Sequence, residues 1–178
     1  TSMCYPVSSM GSHVSVVPNH QLNRKTPLHT RANVAYFGTF GYELDLNKLS
    51  DEEISEVKQQ ITFMKEYREL IQFGTFYRLK SPFEGNETVW MTVSEDKKTA
   101  LVFWYRERNV VNADFTRVRL QGLDPDLIYR NEYNGTENYG DELMNLGLLT
   151  TDCTAGEPTS EDEPCTDYES RIYVLTAK

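Results

Sequence analysis

The hydrophobic repeat of this chain changes at Gly74, and the change indicates two structural parts. Before Gly74, apolar residues recur every three or four positions, which is the spacing of one face of an α-helix; they are Ile54, Val57, Ile61, Met64, Tyr67 and Ile71. After Gly74, six short segments show the alternating or continuous apolar pattern of β-strands; they are residues 75–79, 88–93, 100–105, 117–120, 127–133 and 171–175. The sequence therefore predicts a long helix followed by an all-β region.

Both ends of the helix carry their own signals. Ser50 is placed to cap the first turn, and Glu53, three residues later, completes the pattern of a capping box. Asp51 and Glu52 add negative charge where the helix dipole is positive. Gly74 is placed to end the helix. We therefore predict a helix of about twenty residues between Ser50 and Gly74.

The strands after Gly74 are separated by turn signals, such as Asn134-Gly135, which is typical of a tight hairpin. Short strands joined in this way predict an antiparallel sandwich or barrel. The residues before Gly74 hold one predicted strand, Tyr5–Ser9, a short helix or turn at 30–37, and the long helix. One strand and one long helix cannot bury their own apolar faces. This part resembles the last repeat of a larger α/β domain, and we expect a segment upstream of Thr1.

The charge of the chain is concentrated in one loop. With 27 acidic residues against 18 Lys and Arg, the formal net charge is −9. Residues 152–169 contain Asp152, Glu157, Glu161, Asp162, Glu163, Asp167 and Glu169 and no Lys or Arg. We interpret this segment as a solvated loop, the alternative being an acidic partner site. The net negative charge argues against nucleic acid as a partner. No apolar run reaches the roughly 18 residues of a membrane span, and no signal peptide is visible, so the expected location is cytoplasmic.

Cysteine and histidine positions predict no metal and no cofactor. Cys4 lies in an apolar stretch and is predicted to be a buried free thiol. Cys153 and Cys165 bracket the acidic loop; they close it as a disulfide in an oxidising compartment or stay free thiols in a reducing cytoplasm. The histidines lack the spacing of a metal site, and two sulfurs fall short of the four ligands that zinc needs.

Seven stretches, in order along the chain, carry recognisable motifs. They are YPVSSMGSHVS (5–15), VPNHQ (17–21), NVAYFGTFGYELD (33–45), YRELIQFGTFYRL (67–79), SPFEGN (81–86), LQGLDP (120–125) and GDELMN (140–145). Together they resemble the C-terminal part of glycoside hydrolase family 36 α-galactosidases. The resemblance covers the chain except for its acidic loop, and so many ordered matches are far more specific than any single motif.

The resemblance implies an α+β fragment. Residues 1–73 correspond to the last β-strand and α-helix of a catalytic (β/α)₈ barrel, and residues 74–178 to a C-terminal antiparallel β-sandwich, with the acidic loop at 151–169. Members of the family join subunits into homo-oligomers, so we expect a homo-oligomer for the full-length protein.

The resemblance also implies a reaction, the removal of terminal α-D-galactose from raffinose-type oligosaccharides with retention at the anomeric carbon. The nucleophilic aspartate follows a Lys-Trp-Asp-type motif and the acid/base aspartate a Ser-Asp-Asn-type motif. Neither motif occurs in the chain. We therefore assign no catalytic residue here, place both aspartates upstream of Thr1, and expect the fragment alone to be inactive. A related raffinose-processing transglycosidase is an alternative that this segment does not separate from a hydrolase.

Two residues are candidates for contact with substrate. If a barrel strand ran from Tyr5 to Ser9, Ser12 and His13 would follow its carboxyl end, where barrel active sites form. His13 would then bond a sugar hydroxyl or an upstream carboxylate; alternatively, both residues only orient the following loop. The acid pairs Glu43/Asp45 and Asp141/Glu142 are interpreted as capping or solvated groups.

Aromatic residues of the predicted sandwich suggest a second function class. A set of four (Trp90, Phe103, Trp104 and Tyr105) would suit a sugar-stacking platform in a non-catalytic carbohydrate-binding or interaction module. However, adjacent residues of a strand face opposite sides of the sheet, so one face at least is core. We therefore favour core packing for this set.

Overall fold

The computed structural model describes residues 2–110, 115–150 and 167–178, which form two compact units, Thr1–Gly74 and Thr75–Lys178. The first unit contains β1 (His13–Ser15), α1 (Leu28–Ala35), β2 (Gly41–Glu43) and α2 (Asp51–Phe73). The second contains β3 (Thr75–Lys80), β4 (Glu87–Val93), β5 (Thr99–Arg106), β6 (Arg117–Val118), β7 (Ile128–Asn131), β8 (Glu137–Tyr139), α3 (Gly140–Asn145), β9 (Leu148–Leu149) and β10 (Glu169–Ala177).

The predicted long helix and its capping box are confirmed. The Glu53 backbone N–H donates to Ser50 Oγ at 3.2 Å, and the Ser50 backbone N–H donates to Glu53 Oε2 at 2.9 Å. Two donors that a helix start leaves unpaired are therefore satisfied by local side chains. Val57, Met64 and Ile71 are buried, so the predicted apolar stripe is the packed face of α2.

The first strand does not lie where the sequence pattern placed it. Instead of a strand over Tyr5–Ser9, the chain makes a 3-10 turn at Val7–Ser9, in which the Ser9 backbone N–H donates to the Pro6 carbonyl at 3.0 Å. Pro6 fixes its own φ and has no N–H to donate to a sheet, which favours the turn. The strand forms a few residues later, as β1.

Two parallel strands, rather than one, are found among the described residues of the first unit. β1 pairs with β2 in the register His13↔Gly41, Val14↔Tyr42 and Ser15↔Glu43. Parallel strands need a crossover connection, and α1 lies in that connection. The order β1-α1-β2-α2 is therefore that of two successive β/α repeats.

In the second unit, the described residues form a six-stranded antiparallel sheet with the order β3-β4-β5-β10-β7-β8. β10 lies inside this sheet, paired with β5 on one side and β7 on the other. The hairpin predicted at Asn134-Gly135 connects β7 and β8, but its loop is longer than two residues, with the Gly135 backbone N–H donating to the Asn131 carbonyl at 2.8 Å.

One face of the sheet forms the core of the second unit. Its side chains come from alternate positions of three strands: Val89, Met91, Val93, Ala100, Val102, Trp104, Tyr173 and Leu175. A second layer covers them, built from the β6–β9 pair and α3, with Val118, Leu143 and Leu148 pointing inward. The unit is thus a two-layer antiparallel sandwich.

Candidate functional site

The parallel pair β1–β2 has one face against the helices and one face open. Successive strand residues point to opposite sides. Val14 is fully buried, and its partner Tyr42 donates its hydroxyl to Gln60 Oε1 of α2 at 2.7 Å, so these two face the helical layer. His13, Ser15 and Glu43 occupy the intervening positions and are exposed. Polar side chains are therefore gathered on the face that α1 and α2 leave uncovered.

His13 and Glu43 meet on this open face. The Nε2 atom of His13 lies 2.6 Å from Oε2 of Glu43. His13 is the first residue of β1, whereas Glu43 is the last residue of β2. His13 was predicted to follow a strand at 5–9, but it is the first residue of a strand at 13–15. Its ring nevertheless reaches the carboxyl end of the neighbouring strand.

Ser12 has a different environment from His13. Its hydroxyl donates to the Ala35 carbonyl near the end of α1. In the same region, the Thr39 backbone N–H donates to the Met10 carbonyl at 2.8 Å. A Cβ on Gly38 would lie 2.5 Å from the Met10 carbonyl oxygen and from Ser12 Oγ, so the two segments approach more closely than a side chain permits. Ser12 thus fixes the entry to β1 to the chain that follows α1.

Residues after the carboxyl ends of the two strands also have defined partners. The Ser15 carbonyl accepts a hydrogen bond from Nη1 of Arg31 at 2.6 Å. Asn19 Oδ1 accepts the backbone N–H groups of Gln21 and Leu22, both at 3.0 Å, and so closes the loop that follows β1. Asp45 accepts the Asn47 backbone N–H at 3.0 Å, which confirms its interpretation as a capping group.

Glu43 is the site residue that the sequence analysis missed. It is exposed, in agreement with its interpretation as a solvated acid, but it also contacts His13, a role that the sequence did not indicate. The alternation of residues 41–43 was a signal, because it places the Glu43 side chain on the other face of the strand from Tyr42. To predict the contact with His13, one would also need the parallel register of β2 with β1, which joins positions some thirty residues apart.

A polar network lies between β2 and α2 on the helical side. Gln60, which accepts from Tyr42, donates through Nε2 to Glu56 Oε1 at 2.7 Å. Burial, with a smaller contribution from the Glu56 carboxylate, raises the pKa of Tyr42 to about 12. Burial likewise raises the pKa of Tyr36 well above its ordinary value. Both phenols are therefore neutral at physiological pH and act in packing and hydrogen bonding.

An open cavity of about 500 Å³ lies between residues 39–42 and α2. Its lining combines apolar side chains with two cations, Lys65 and Arg68, and with the amide of Gln72. The Gln72 amide is already engaged, since its Nε2 donates to the Gly38 carbonyl at 3.1 Å. The cavity opens beside the amino end of β2, away from the Glu43 carboxylate at the other end of the strand.

The aromatic set of the second unit is mostly core, as favoured. Phe103 is fully buried and Trp104 is 1 % exposed. Trp104 also donates its indole N–H to Glu87 Oε1 at 3.1 Å, an inward-facing bond. Trp90 is only half-buried and lies in edge contact with Phe76 and Tyr105. A flat stacking platform made of all four residues is therefore not present.

Cys4 is exposed, and its prediction as a buried thiol is wrong. The stretch around it forms turns instead of a strand, and its neighbours Met3 and Tyr5 are exposed as well. Cys153 and Cys165, with residues 151–166 of the acidic loop, lie outside the described residues. Among residues 2–110, 115–150 and 167–178, no cluster of three or more His, Cys, Asp or Glu has the arrangement of a metal site. In the same ranges no helix has the length and apolar content to span a membrane.

Comparison with known families gives a match in each unit. The family model described as Melibiase matches residues 1–74. The model described as Glycosyl hydrolase family 36 C-terminal domain matches residues 87–175, which is half of the chain.

Individual relatives are similar along most of the chain. Alpha-galactosidase AgaA of Geobacillus stearothermophilus is 53 % identical over 148 residues, which are 83 % of this chain and 20 % of the relative. Alpha-galactosidase Mel36A of Lactobacillus acidophilus is 48 % identical over the same length, again 20 % of the relative. The chain thus spans about a fifth of the length of these curated relatives.

A solved structure agrees with the same family. A variant of AgaA crystallised in complex with raffinose superposes with a TM-score of 0.89 at 45 % identity, covering 99 % of this chain and 23 % of that one. The expected fold class, a barrel end followed by an antiparallel sandwich, is confirmed, with one more parallel strand than the sequence pattern indicated.

Proposed function

The chain belongs to glycoside hydrolase family 36, and on that premise we propose that it is the C-terminal part of a retaining α-galactosidase acting on raffinose-type oligosaccharides. The observation that carries the proposal is the likeness along 99 % of the chain to an α-galactosidase crystallised with raffinose. Residues 1–73 would complete the catalytic barrel, and residues 74–178 would form the C-terminal sandwich.

The proposed chemistry needs two carboxylates. One attacks the anomeric carbon, while the other protonates the leaving oxygen and then activates water, at a separation of about 5 Å. We assign both to the part of the enzyme that precedes this sequence, since neither aspartate motif occurs in it. The fragment alone is then inactive. A cytoplasmic location and assembly into a homo-oligomer belong to the same proposal.

We propose that His13, on the open face of β1, supports substrate binding together with Ser12, which immediately precedes β1. The His13 ring is exposed and reaches toward the carboxyl end of β2, which is the end where barrel active sites form. Ser12 already donates its proton to the Ala35 carbonyl, so its oxygen has lone pairs left to accept a sugar hydroxyl.

The alternative, a non-catalytic carbohydrate-binding module, has less support. It relied on exposed aromatic faces, and Phe103 and Trp104 are buried in the sheet. The open polar face of β1–β2 is better explained as part of a larger barrel interior than as a finished surface, because all-parallel sheets are normally covered on both faces.

A chimera tests the proposed function. The C-terminal segment of AgaA that corresponds to this chain would be replaced by residues 1–178, and release of galactose from raffinose would be measured beside unmodified AgaA. We expect an active chimera and no release by the 178-residue chain alone. NMR of the first product should show α-galactose, the retained anomer. A folded chimera without activity, activity in the isolated chain, or β-galactose as first product would contradict the proposal.

A further inference from the structure

The contact between His13 and Glu43 has features of a prepared site. Their side chains are 50 % and 74 % exposed, yet Nε2 and Oε2 are 2.6 Å apart. Even when both groups of such an exposed contact are charged, it contributes little to stability, with a median of about 0–1 kcal/mol. Its geometry therefore calls for an explanation other than folding energy.

The backbone around His13 is held from several directions. Ser12 is bonded to the Ala35 carbonyl, and the Met10 carbonyl accepts the Thr39 N–H. On the other side, Val14 is buried and the Ser15 carbonyl is held by Arg31. With the main chain fixed, the side-chain torsions of His13 are the main freedom left, and the Glu43 carboxylate is the described group that fixes the ring.

We propose that Glu43 is a positioning residue that fixes the orientation and tautomer of His13 for sugar binding. A carboxylate only accepts hydrogen bonds, so the His13 nitrogen that faces it, Nε2, must carry a proton. In the neutral ring, Nδ1 is then an acceptor, which takes a hydrogen bond from a hydroxyl that donates. The ligand chemistry is thus a saccharide hydroxyl. This inference deepens and rests on the proposed function.

The cation on the neighbouring helix α1 is engaged with backbone carbonyls. Arg31, on α1, donates Nε to the Thr26 carbonyl at 3.0 Å and Nη1 to Ser15. Burial lowers the pKa of Arg31, and the carboxylates of Glu53 and Glu56 partly offset this lowering. Those two acids therefore act on Arg31 from the α2 side. Among the described contacts, Glu43 is the acid that His13 meets.

NMR on the 178-residue chain tests the pair without any activity. The chain has three histidines, so imidazole nitrogen signals can be assigned by single substitutions. We expect His13 to be protonated at Nε2 in its neutral form, and Glu43→Gln to lose this preference, because an amide can also donate. The matched control is Glu66→Gln, an exposed acid on α2. A His13 tautomer that is the same in Glu43→Gln as in wild type would overturn the inference.

Kinetics of the chimera then separate positioning from structure. We expect Glu43→Gln to raise KM for raffinose by about tenfold with little change in kcat, the value of one hydrogen bond of about 1.4 kcal/mol. Glu43→Asp should restore part of the affinity, and Glu43→Gln should have no further effect in a His13→Asn background. Lower thermal stability with unchanged KM would assign Glu43 a structural role and refute the proposal.

The two tests fail in different ways. An inactive wild-type chimera contradicts the proposed function, while the NMR comparison still decides whether Glu43 sets the tautomer of His13. An active chimera in which Glu43→Gln behaves like Glu66→Gln contradicts only the positioning role.

Discussion

Gly140 lies where α3 begins against the backbone of the preceding loop, and replacing it by Ala should destabilise the second unit. A Cβ at this position would lie 1.9 Å from the Asp124 carbonyl oxygen and 3.1 Å from Cε2 of Tyr129. Ordinary contact begins at 3.4 Å, so the carbonyl contact is too short by about 1.5 Å. A backbone carbonyl cannot rotate away as a flexible side chain can, and the loop itself must move.

The cost follows from what that movement breaks. The Gly140 backbone N–H donates to the Leu127 carbonyl at 2.9 Å, and the Asp141 N–H donates to the Pro125 carbonyl at 3.2 Å. Losing these bonds costs about 1 kcal/mol each, and overpacking adds about 1–3 kcal/mol. Ala gains about 1 kcal/mol over Gly in helix propensity. The free energy of unfolding should therefore fall by about 2–4 kcal/mol.

Urea unfolding followed by tryptophan fluorescence measures this change. Both tryptophans, Trp90 and Trp104, lie in the central sheet, so the signal reports on the second unit. Two glycines serve as controls, because a Cβ would meet nothing within 4 Å at either. Gly85→Ala should be neutral or stabilising by up to about 1 kcal/mol. Gly135→Ala should cost about 1–2 kcal/mol, because its φ is +73°.

These controls separate the steric clash from backbone strain. If Gly140→Ala unfolds at the same urea concentration as Gly85→Ala, with an unchanged slope, the close approach to Asp124 has no energetic consequence and the reasoning is wrong. A loss no larger than that of Gly135→Ala would leave a generic glycine effect as a sufficient explanation.

Three further outcomes are expected. Ser50→Ala should lower stability by about 1 kcal/mol, measured by thermal unfolding with circular dichroism, because it removes the cap of α2. An equal loss in Ser55→Ala, on the exposed surface of the same helix, would contradict that cause. Absorbance titration should show Tyr42 ionising near pH 12. Because its folded pKa lies above the unfolded value of about 10, its stabilising contribution is complete below pH 10 and is lost between about pH 10 and 12. If Tyr42→Phe leaves the dependence of stability on pH in that range unaltered, this reasoning is contradicted. In the chimera, His13→Ala should lower turnover of raffinose, measured well below KM, at least about tenfold without unfolding the enzyme, whereas His29→Ala, on exposed α1 surface, should not. Wild-type kinetics for His13→Ala would remove this residue from the site.

Elements whose signals are local could be predicted from the sequence. The capping box, the apolar period and the stop at Gly74 all act within a few residues of one another, and α2 begins and ends as predicted. Strands with strong alternation, such as β4 and β5, were also identified to within a residue or two.

Elements that depend on partners distant in sequence could not be placed as well. The first strand was misplaced because the apolar pattern of residues 5–9 outweighed the turn signal of Pro6. Neither α3 nor the two-residue strand β9 has enough residues to show a period; tertiary contacts with β6 and the sheet define them. The same holds for the site, because Glu43 joins His13 only through the register of β1 with β2.

The central place of β10 also has a consequence for synthesis on the ribosome. Of the strands in the six-stranded sheet, β3, β4 and β5 leave the exit tunnel first, and β7 and β8 follow. These two groups are joined by β10, whose residues 169–177 are made later than all of them. Until then, β5 and β7 each present an unpaired edge, the kind of surface that recruits wrong partners. A premature stop codon in the final tenth of this sequence should therefore be as damaging as one much earlier, and translation pauses before residue 169 should increase aggregation of the nascent chain.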